Sequence, residues 1–202
     1  MLMTLVFSSS GFTQTPVEPT PVAAAVSPSP LVISGYVGAY YAWDNDKRPN
    51  QTDFRQFSFI APQKEQVSLD IAQISAAYST SNVRAKATLQ FGDVTRQWSG
   101  GNNPSANYIQ EANAGFMLAD KLWLDAGFFL THIGAEGFFP KDNFMSSLAL
   151  TTNFEPFGQG GAKLSYQFSD QFSGQFLVMN SYGGFYDNNA NKHVGIQLDY
   201  KA

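Results

Sequence analysis

Residues 83–92, which read Val-Arg-Ala-Lys-Ala-Thr-Leu-Gln-Phe-Gly, are the stretch of the sequence that is most informative about the fold. Successive side chains of an extended strand point to opposite sides, so the apolar odd positions share one face and the charged or polar even positions share the other. Such a strand fits any sheet with one wet side. Similar segments recur down the chain with alternately short and long connections, which is typical of a transmembrane β-barrel with lipid outside and a polar lumen inside.

Composition agrees with strands that present only half of their residues to lipid. The 202 residues suffice for one domain with a core, and charged residues make up 14%, below the roughly 25% usual in soluble domains. The sequence contains no run of about 18 apolar residues that would form a membrane helix. A net charge of −4 without a basic patch argues against nucleic acid as a partner. The absence of cysteine excludes a disulfide framework and cysteine catalysis.

Two segments precede the predicted barrel. Residues 1–14 resemble a secretory signal peptide, with a short apolar core before small residues, although no Lys or Arg precedes that core. Residues 15–30 hold half of the ten prolines, which predicts an unpaired linker, and their alanines at 23–25 offer an alternative place for cleavage. We therefore expect an exported protein whose barrel occupies residues 31–202.

Eight segments alternate clearly enough to be predicted as antiparallel strands. They cover residues 31–43, 67–79, 83–92, 108–118, 122–130, 161–168, 171–180 and 194–200. The second changes parity near Gln73, which predicts a β-bulge. Tight polar turns follow the second, fourth and sixth strands, whereas long loops follow the first, third and seventh. Soluble sandwiches have no reason to alternate loop lengths in this way, so the sequence predicts an all-β outer-membrane barrel.

Residues 131–157 form a connection far longer than usual, and loops of this length tend to be functional or disordered. Its segment at 145–150, Met-Ser-Ser-Leu-Ala-Leu, is too apolar for a tip surrounded by water. We expect the loop to fold into the lumen as a constriction. A further strand or a short helix packed on the barrel wall is the alternative. The loop charges predicted to lie near the pore are Glu136, Lys141, Asp142 and Glu155.

Strand parity also identifies candidate lumen charges and interfacial aromatic residues. The predicted pore-lining residues are Arg84, Lys86, Glu111, Asp125, Lys163 and Asp199. Their signs are mixed, so no strong ion selectivity is predicted. The aromatic residues predicted to form interfacial girdles are Tyr41, Trp43, Tyr108, Phe168, Phe172 and Tyr200.

No catalytic or metal-binding constellation is predicted. The two histidines, His132 and His193, lie in or beside loops, and no spacing joins either to a nucleophile and an orienting third group. Residues 44–46 and 187–189 contain Asp and Asn without a full calcium-loop pattern, and no phosphate-binding glycine motif is present. We therefore expect a non-enzymatic protein without a cofactor or metal.

Three stretches resemble the OmpL-like β-barrel porins of bacteria. They are residues 35–41 (Gly-Tyr-Val-Gly-Ala-Tyr-Tyr), residues 132–136 (His-Ile-Gly-Ala-Glu) followed by Lys-Asp-Asn at 141–143, and residues 193–200 (His-Val-Gly-Ile-Gln-Leu-Asp-Tyr). The resemblance covers about residues 31–202 and implies a porin-like barrel of the bacterial outer membrane. Family members continue beyond the equivalent of Ala202, and a terminal aromatic residue is lacking here. We therefore expect a C-terminally truncated member whose visible strands belong to a larger barrel.

The predicted function is passive diffusion of small solutes through a polar lumen narrowed by the long loop. Eight strands alone would close around an interior filled by side chains, so a loop inside the lumen requires more strands. The expected partners are the lipid bilayer, lipopolysaccharide and the solutes, and a homo-oligomer is compatible with this reading. The alternative is a non-conducting outer-membrane or secreted β-protein that uses its loops for adhesion or ligand binding.

Overall fold

A single antiparallel sheet contains all the strands of the described chain. The computed structural model describes residues 2–7, 29–45, 55, 60–97, 104–134, 136–137, 139–145, 147–187 and 189–201. The strands are β1 (Leu2–Phe7), β2 (Leu31–Ala42), β3 (Val67–Ser79), β4 (Val83–Phe91), β5 (Ile109–Ala119), β6 (Leu122–Leu130), β7 (Gly158–Gln167), β8 (Phe172–Met179) and β9 (His193–Tyr200). Each strand pairs with its neighbours in sequence, and β1 and β9 are the two edges, so the sheet is not closed.

The all-β prediction is confirmed. Strands β2 to β9 are the eight predicted segments, with ends that agree within three residues. The register between β2 and β3 shifts where Gly38 pairs with Ile71 and Ala39 pairs with Leu69. The irregularity therefore lies at Asp70, not at Gln73 as the parity of the sequence suggested, because Asp70 and Ile71 are both buried.

Strand β1 lies in the segment whose sequence resembles a signal peptide. It pairs antiparallel with β2, so that Leu2 lies opposite Ala42 and Phe7 opposite Val37. The edge of a sheet presents unpaired N–H and C=O groups, and an extended apolar segment satisfies them. The signal peptide remains a prediction, and most of the predicted linker at 15–30 lies outside the described residues.

The connections separate the two ends of the sheet. The strands are joined at one end by short connections at residues 80–82, 120–121 and 168–171. At the other end they are joined by long connections at residues 43–66, 92–108, 131–157 and 180–192, each of which the structure describes in part. The second loop carries α1 (Val94–Gln97) and a 3-10 helix at Pro104–Tyr108, and the third carries 3-10 helices at Pro140–Asp142 and Leu150–Phe154. The described part of the third loop contains no strand, so of the two alternatives only short helical turns are found there.

No helix among the described residues is long and apolar enough to cross a membrane.

The sheet exposes apolar side chains on one face and buries polar side chains on the other, which is the reverse of the pattern in a water-soluble protein. On β4, the apolar Leu89 and Phe91 are each 46% exposed, whereas Thr88 and Gln90 are 1% and 0% exposed. The register extends the apolar face across the sheet in a row of neighbouring residues: Phe116, Leu124, Leu164, Phe176 and Ile196. Soluble monomers rarely leave a contiguous apolar surface of this extent uncovered. We call these two surfaces the apolar face and the polar face.

The main buried cluster joins the strands to the long loops. It contains Tyr36, Tyr40, Ala42, Ile60, Ala61, Ile71, Val94, Ala106 and Phe185, with Phe139, Leu148 and Phe157 of the third loop packed against it. A smaller cluster of Phe129, Leu177 and Met179 lies on β6 and β8. The loops are therefore held to the sheet by apolar burial.

Candidate functional site

The six lumen charges predicted from parity are brought together by the sheet. They all line one cavity of about 680 Å³ on the polar face, together with residues such as Trp123, Phe129 and Ser165. The six residues come from β4, β5, β6, β7 and β9. Because antiparallel neighbours are in register, alternation along each strand places the same face of every strand toward this space.

Arg84 and Asp125 form the central ion pair of the cavity. Arg84 Nε donates to Asp125 Oδ1 at 2.6 Å, and Nη2 donates to the other carboxylate oxygen. Nη2 also donates to Ser165 Oγ at 3.0 Å, and the guanidinium carbon lies 4.5 Å from the centre of the Trp123 ring. The planar guanidinium is suited to this combination of a bidentate carboxylate and an aromatic face.

Gly115 makes this pair possible. It is the residue of β5 that lies between Arg84 of β4 and Asp125 of β6 in the register. A Cβ at this position would come within 2.2 Å of Asp125 Oδ1 and 2.8 Å of the Leu124 carbonyl oxygen. The carboxylate therefore occupies the space that any other residue would fill.

A second ion pair joins Lys86 of β4 to Glu111 of β5. The Lys86 ammonium contacts Glu111 Oε2. The Glu111 side chain is only 10% exposed, whereas the Lys86 side chain is 44% exposed. The lysine therefore extends its stem along the wall and keeps its charge at the edge of the cavity.

Lys163 and Asp199 differ from the paired charges. Lys163 lies opposite Asp125 in the register of β6 and β7, and its Nζ is 5.3 Å from the centre of the Phe129 ring. In the described part of the chain, no carboxylate oxygen lies within 4.0 Å of Lys163 Nζ. Asp199 lies near the turn end, opposite Ser173 of β8.

Uncharged hydrogen bonds cover the remainder of the polar face. Gln175 Nε2 donates to Gln197 Oε1 between β8 and β9. His132 Nδ1 and Gln159 Oε1 are 2.9 Å apart, and Gln159 Nε2 donates to the Tyr182 carbonyl. The His132 imidazole lies where a Cβ on Gly195 would be. The histidine thus fixes the start of the third loop against β7 and β9.

The third loop crosses the polar face. The ring of Phe139 packs against the ring of Tyr36 with centroids 5.0 Å apart. Tyr36 belongs to the polar face, since the register places it in one row with Gln73 and Gln90. The loop starts at β6 and returns at β7, so reaching β2 requires it to pass in front of the intervening strands. The inward fold of the loop as a constriction remains a prediction.

The four predicted loop charges bond mainly within the loop. Glu136 Oε2 accepts hydrogen bonds from the Ala149 amide at 2.7 Å and from Thr152 Oγ1 at 3.2 Å. Lys141 Nζ donates to its neighbour Asp142 at 2.9 Å. The carboxylate of Glu155 lies against Gly134, whose φ is +101°. These contacts fold the loop on itself instead of joining it to the charges of the cavity.

The prediction that the apolar segment at 145–150 avoids water is wrong for two of its residues. Met145 is 58% exposed and Leu150 is 62% exposed, while Leu148 packs against the main cluster. Phe144 beside them is fully exposed, at 102%. The described part of the loop is held by Phe139 and Leu148, which pack against the main cluster, and by the buried Pro140.

A family comparison agrees with this architecture. The family model described as putative beta-barrel porin-2, OmpL-like, matches residues 30–202. The chain belongs to this OmpL-like porin family. No curated protein and no solved structure matches the chain. The resemblance stated from the sequence is therefore confirmed, and membership indicates a porin-like role, suggesting a non-enzymatic protein in the outer membrane.

One network of this porin-like sheet was not predicted. Asp93, at the end of β4, is 5% exposed and accepts hydrogen bonds from Tyr40 Oη at 2.7 Å and Ser68 Oγ at 2.9 Å. The backbone N–H of Gln63 donates to Tyr40 Oη at 2.9 Å. The residues are far apart in sequence, and the only local signal was the polar residue placed directly after an apolar strand end.

Asp44 and Asp187, one acidic residue from each of the stretches 44–46 and 187–189, lie beside cationic side chains. Asp44 pairs with Lys64 at 3.2 Å and with Arg55 at 3.6 Å. Asp187 accepts from the Lys192 ammonium. That hydrogen bond, with a second from the Asn189 amide, lowers the pKa of the exposed Asp187 carboxyl. Ion pairs therefore join residue 44 to residues 55 and 64 in the first loop, and residue 187 to residue 192 in the fourth.

The aromatic residues predicted as girdles lie near the two ends of the apolar face. Tyr41, Trp43 and Tyr108 lie near the loop end and are 43%, 52% and 48% exposed. Phe168 and Tyr200 lie near the turn end and are 53% and 69% exposed. Phe172, the sixth residue predicted for the girdles, lies at the turn end of β8 and is partly buried. The interfacial girdles remain a prediction.

Proposed function

We propose that the chain forms the wall of an outer-membrane pore through which small solutes diffuse passively. The single observation that carries this proposal is the inversion of the two faces. Leu89 and Phe91 are exposed on one side of β4, while Gln90 between them is fully buried on the other. Lipid accepts the first face and an aqueous lumen requires the second.

The arrangement of charges supports a water-filled space over a filled core. The cavity holds Arg84, Lys86, Glu111, Asp125, Lys163 and Asp199 side by side. Ionised groups in this number are costly in a dry interior unless each is paired and hydrogen-bonded. Lys163 and Asp199 have no such partner among the described residues, so water is the solvent that best satisfies them.

The third loop is the proposed constriction. Its Phe139 contact with Tyr36 supports a path across the lumen, and its internal hydrogen bonds to Glu136 support a fixed conformation. Solute size would then be limited by the gap between the loop and the cavity wall, with lumen charges tuning passage. Glu136, Lys141, Asp142 and Glu155 would act on the shape of the loop more than on the solute.

The proposed pore would lie in the outer membrane, with a different environment at each part of the sheet. The apolar face would contact bilayer lipid, and the loop end would face the lipopolysaccharide leaflet, since outer-membrane barrels have their long loops outside. An open edge cannot remain in hydrocarbon. Strand β9 would therefore need a further strand or another subunit beside it.

The proposal is tested by refolding the chain into detergent and then into planar bilayers. We expect the folded protein to migrate differently on gels before and after boiling, because a barrel sheet resists detergent until it is heated. We also expect stepwise conductance from the unboiled sample, with the boiled sample as the matched control. Heat-modifiable migration without conductance would contradict the pore and favour a barrel that uses its loops for binding.

A further inference from the structure

The charges at the centre of the cavity form a belt with a simple pattern. We define the belt as Arg84, Lys86, Glu111, Asp125 and Lys163. The register places Arg84, Gly115, Asp125 and Lys163 in one row across four strands. Lys86 and Glu111 lie beside this row, toward the loop end.

Two cations of the belt are neutralised by direct contact. Arg84 occupies both oxygens of Asp125, and Lys86 contacts Glu111. Both carboxylates are almost fully buried, with side-chain exposures of 5% and 10%. A solute in the cavity therefore meets little negative charge from either acid.

Lys163 is the remaining charge of the belt. No carboxylate of the described chain lies within 4.0 Å of its Nζ. Asp125 lies opposite Lys163 on β6, with both of its carboxylate oxygens held by Arg84. The other neighbours of Lys163 are Leu177 on β8, which is 1% exposed, and the ring of Phe129. Apolar neighbours leave the field of an ammonium less screened than water does.

Hydrogen-bond donors flank the same position. Ser165 lies two residues along β7 on the same face, and its Oγ accepts from Arg84, so its own proton points away from that guanidinium. Gln175 lies opposite Ser165 on β8. At the turn end, the cavity is lined by Lys121 and Asp199, one charge of each sign. The charge balance of the cavity is therefore set by Lys163.

We propose that Lys163 and Ser165 form an anion subsite in the cavity wall, so that the pore favours small anions, including carboxylates, over cations. This inference rests on the proposed pore function. It changes the sequence-based expectation of mixed charge without selectivity, because the two ion pairs cancel two cations against two carboxylates and leave the charge of Lys163.

The first test measures the reversal potential in planar bilayers under a potassium chloride gradient. We expect chloride to be preferred, and Lys163→Met to lower the chloride-to-potassium permeability ratio about twofold, the effect of one charge at about 8 Å in water. Lys163→Arg should retain the preference. Lys201→Gln is the matched control, since it removes a lysine that does not line the cavity, and it should change nothing.

The second test does not depend on conductance. In a Trp43→Phe, Trp98→Phe background, Trp123 is the sole tryptophan, and it lines the same cavity. Lys163→Met should reduce quenching of Trp123 by iodide about twofold and leave quenching by neutral acrylamide unchanged.

The outcomes separate the two proposals. Unchanged reversal potential and unchanged iodide quenching in Lys163→Met would overturn the anion subsite while leaving the pore intact. A folded protein without conductance that still shows the iodide difference would overturn the pore and retain the subsite as a binding site. Loss of acrylamide quenching as well would overturn the charge-based explanation, because a neutral quencher does not respond to Lys163.

Discussion

Gly115 lies between two strands whose charged side chains meet across it. The Asp125 carboxylate occupies the position of the missing Cβ, which would be 2.2 Å from Oδ1. The ion pair with Arg84 thus depends on a residue that takes no part in it. The polar face is therefore specified by the absence of a side chain at Gly115 as well as by the positions of its charged residues.

Gly115→Ala should therefore destabilise the sheet. The added methyl displaces Asp125 from Arg84, and weakening charge-assisted hydrogen bonds to a nearly buried carboxylate should cost about 2–3 kcal/mol of unfolding free energy. The measurement is urea unfolding in detergent micelles followed by tryptophan fluorescence. Gly183→Ala is the control, since its Cβ would meet only Pro156 at an ordinary 3.4 Å. Equal stability of the two variants would contradict the role of Gly115.

The sequence predicted which face of the sheet each charged side chain lies on, but not which acid each cation contacts. Alternation in β4 correctly placed Arg84 and Lys86 on the face opposite Leu89. Which acid each cation meets depends on the register of strands joined by long loops, and no turn geometry encodes that register. The Asp93 network with Tyr40 was missed for the same reason, since it forms only after β2 and β4 are assembled.

Among the elements, the third loop shows how a long connection is held by a few contacts. Phe139 docks on Tyr36, while Phe144 on the same loop is fully exposed. Apolar composition predicted that the segment at 145–150 would not form a tip surrounded by water. The structure buries Leu148 partly and exposes Met145 and Leu150, so hydropathy alone does not predict which side chains of this loop face the sheet.

Phe139→Ala should loosen this loop. Losing the aromatic contact removes about 1–2 kcal/mol of docking free energy, which raises the undocked fraction roughly tenfold per 1.4 kcal/mol. We expect larger single-channel conductance and faster protease cleavage within residues 131–157. Phe144→Ala removes an equally large ring without a docking contact and should leave both readouts at the wild-type level. If both variants behave alike, the loop is not held by Phe139.

The bounds of the strands were easier to predict from the sequence than the position of the β-bulge. Turns and alternation sufficed to give the bounds of all eight strands within three residues. The bulge was displaced from Gln73 to Asp70 because its position depends on how β3 meets Gly38 and Ala39 of β2. A bulge belongs to a strand pair, and one strand read by itself shows only that parity changes nearby.

A charge introduced on the apolar face should cost much more folding free energy than the same charge introduced on the polar face. Phe176 is 44% exposed on the apolar face, and its neighbour Gln175 lines the cavity. In phospholipid vesicles, Phe176→Arg should cost about 2–4 kcal/mol of folding free energy. Gln175→Arg is the matched control and should cost far less, as its side chain reaches water. Denaturant titration of both variants measures the difference, and a larger cost for Gln175→Arg would reverse the assignment of the faces.

The proposed pore requires one assignment of the two faces, with lipid covering the apolar face and water in contact with the polar face. It is tested most directly by spin labels, since the chain has no cysteine to remove. Single cysteines replace Ala87, Leu89, Ile196 and Leu198 on the apolar face and Lys86, Gln197 and Asp199 on the polar face.

We expect labels on the apolar face, measured in vesicles, to be relaxed mainly by oxygen, which concentrates in lipid. Labels on the polar face should be relaxed mainly by a water-soluble nickel chelate. The two accessibilities should therefore alternate from residue to residue along β4 and β9. Equal nickel access on both faces, or the opposite alternation, would contradict the account.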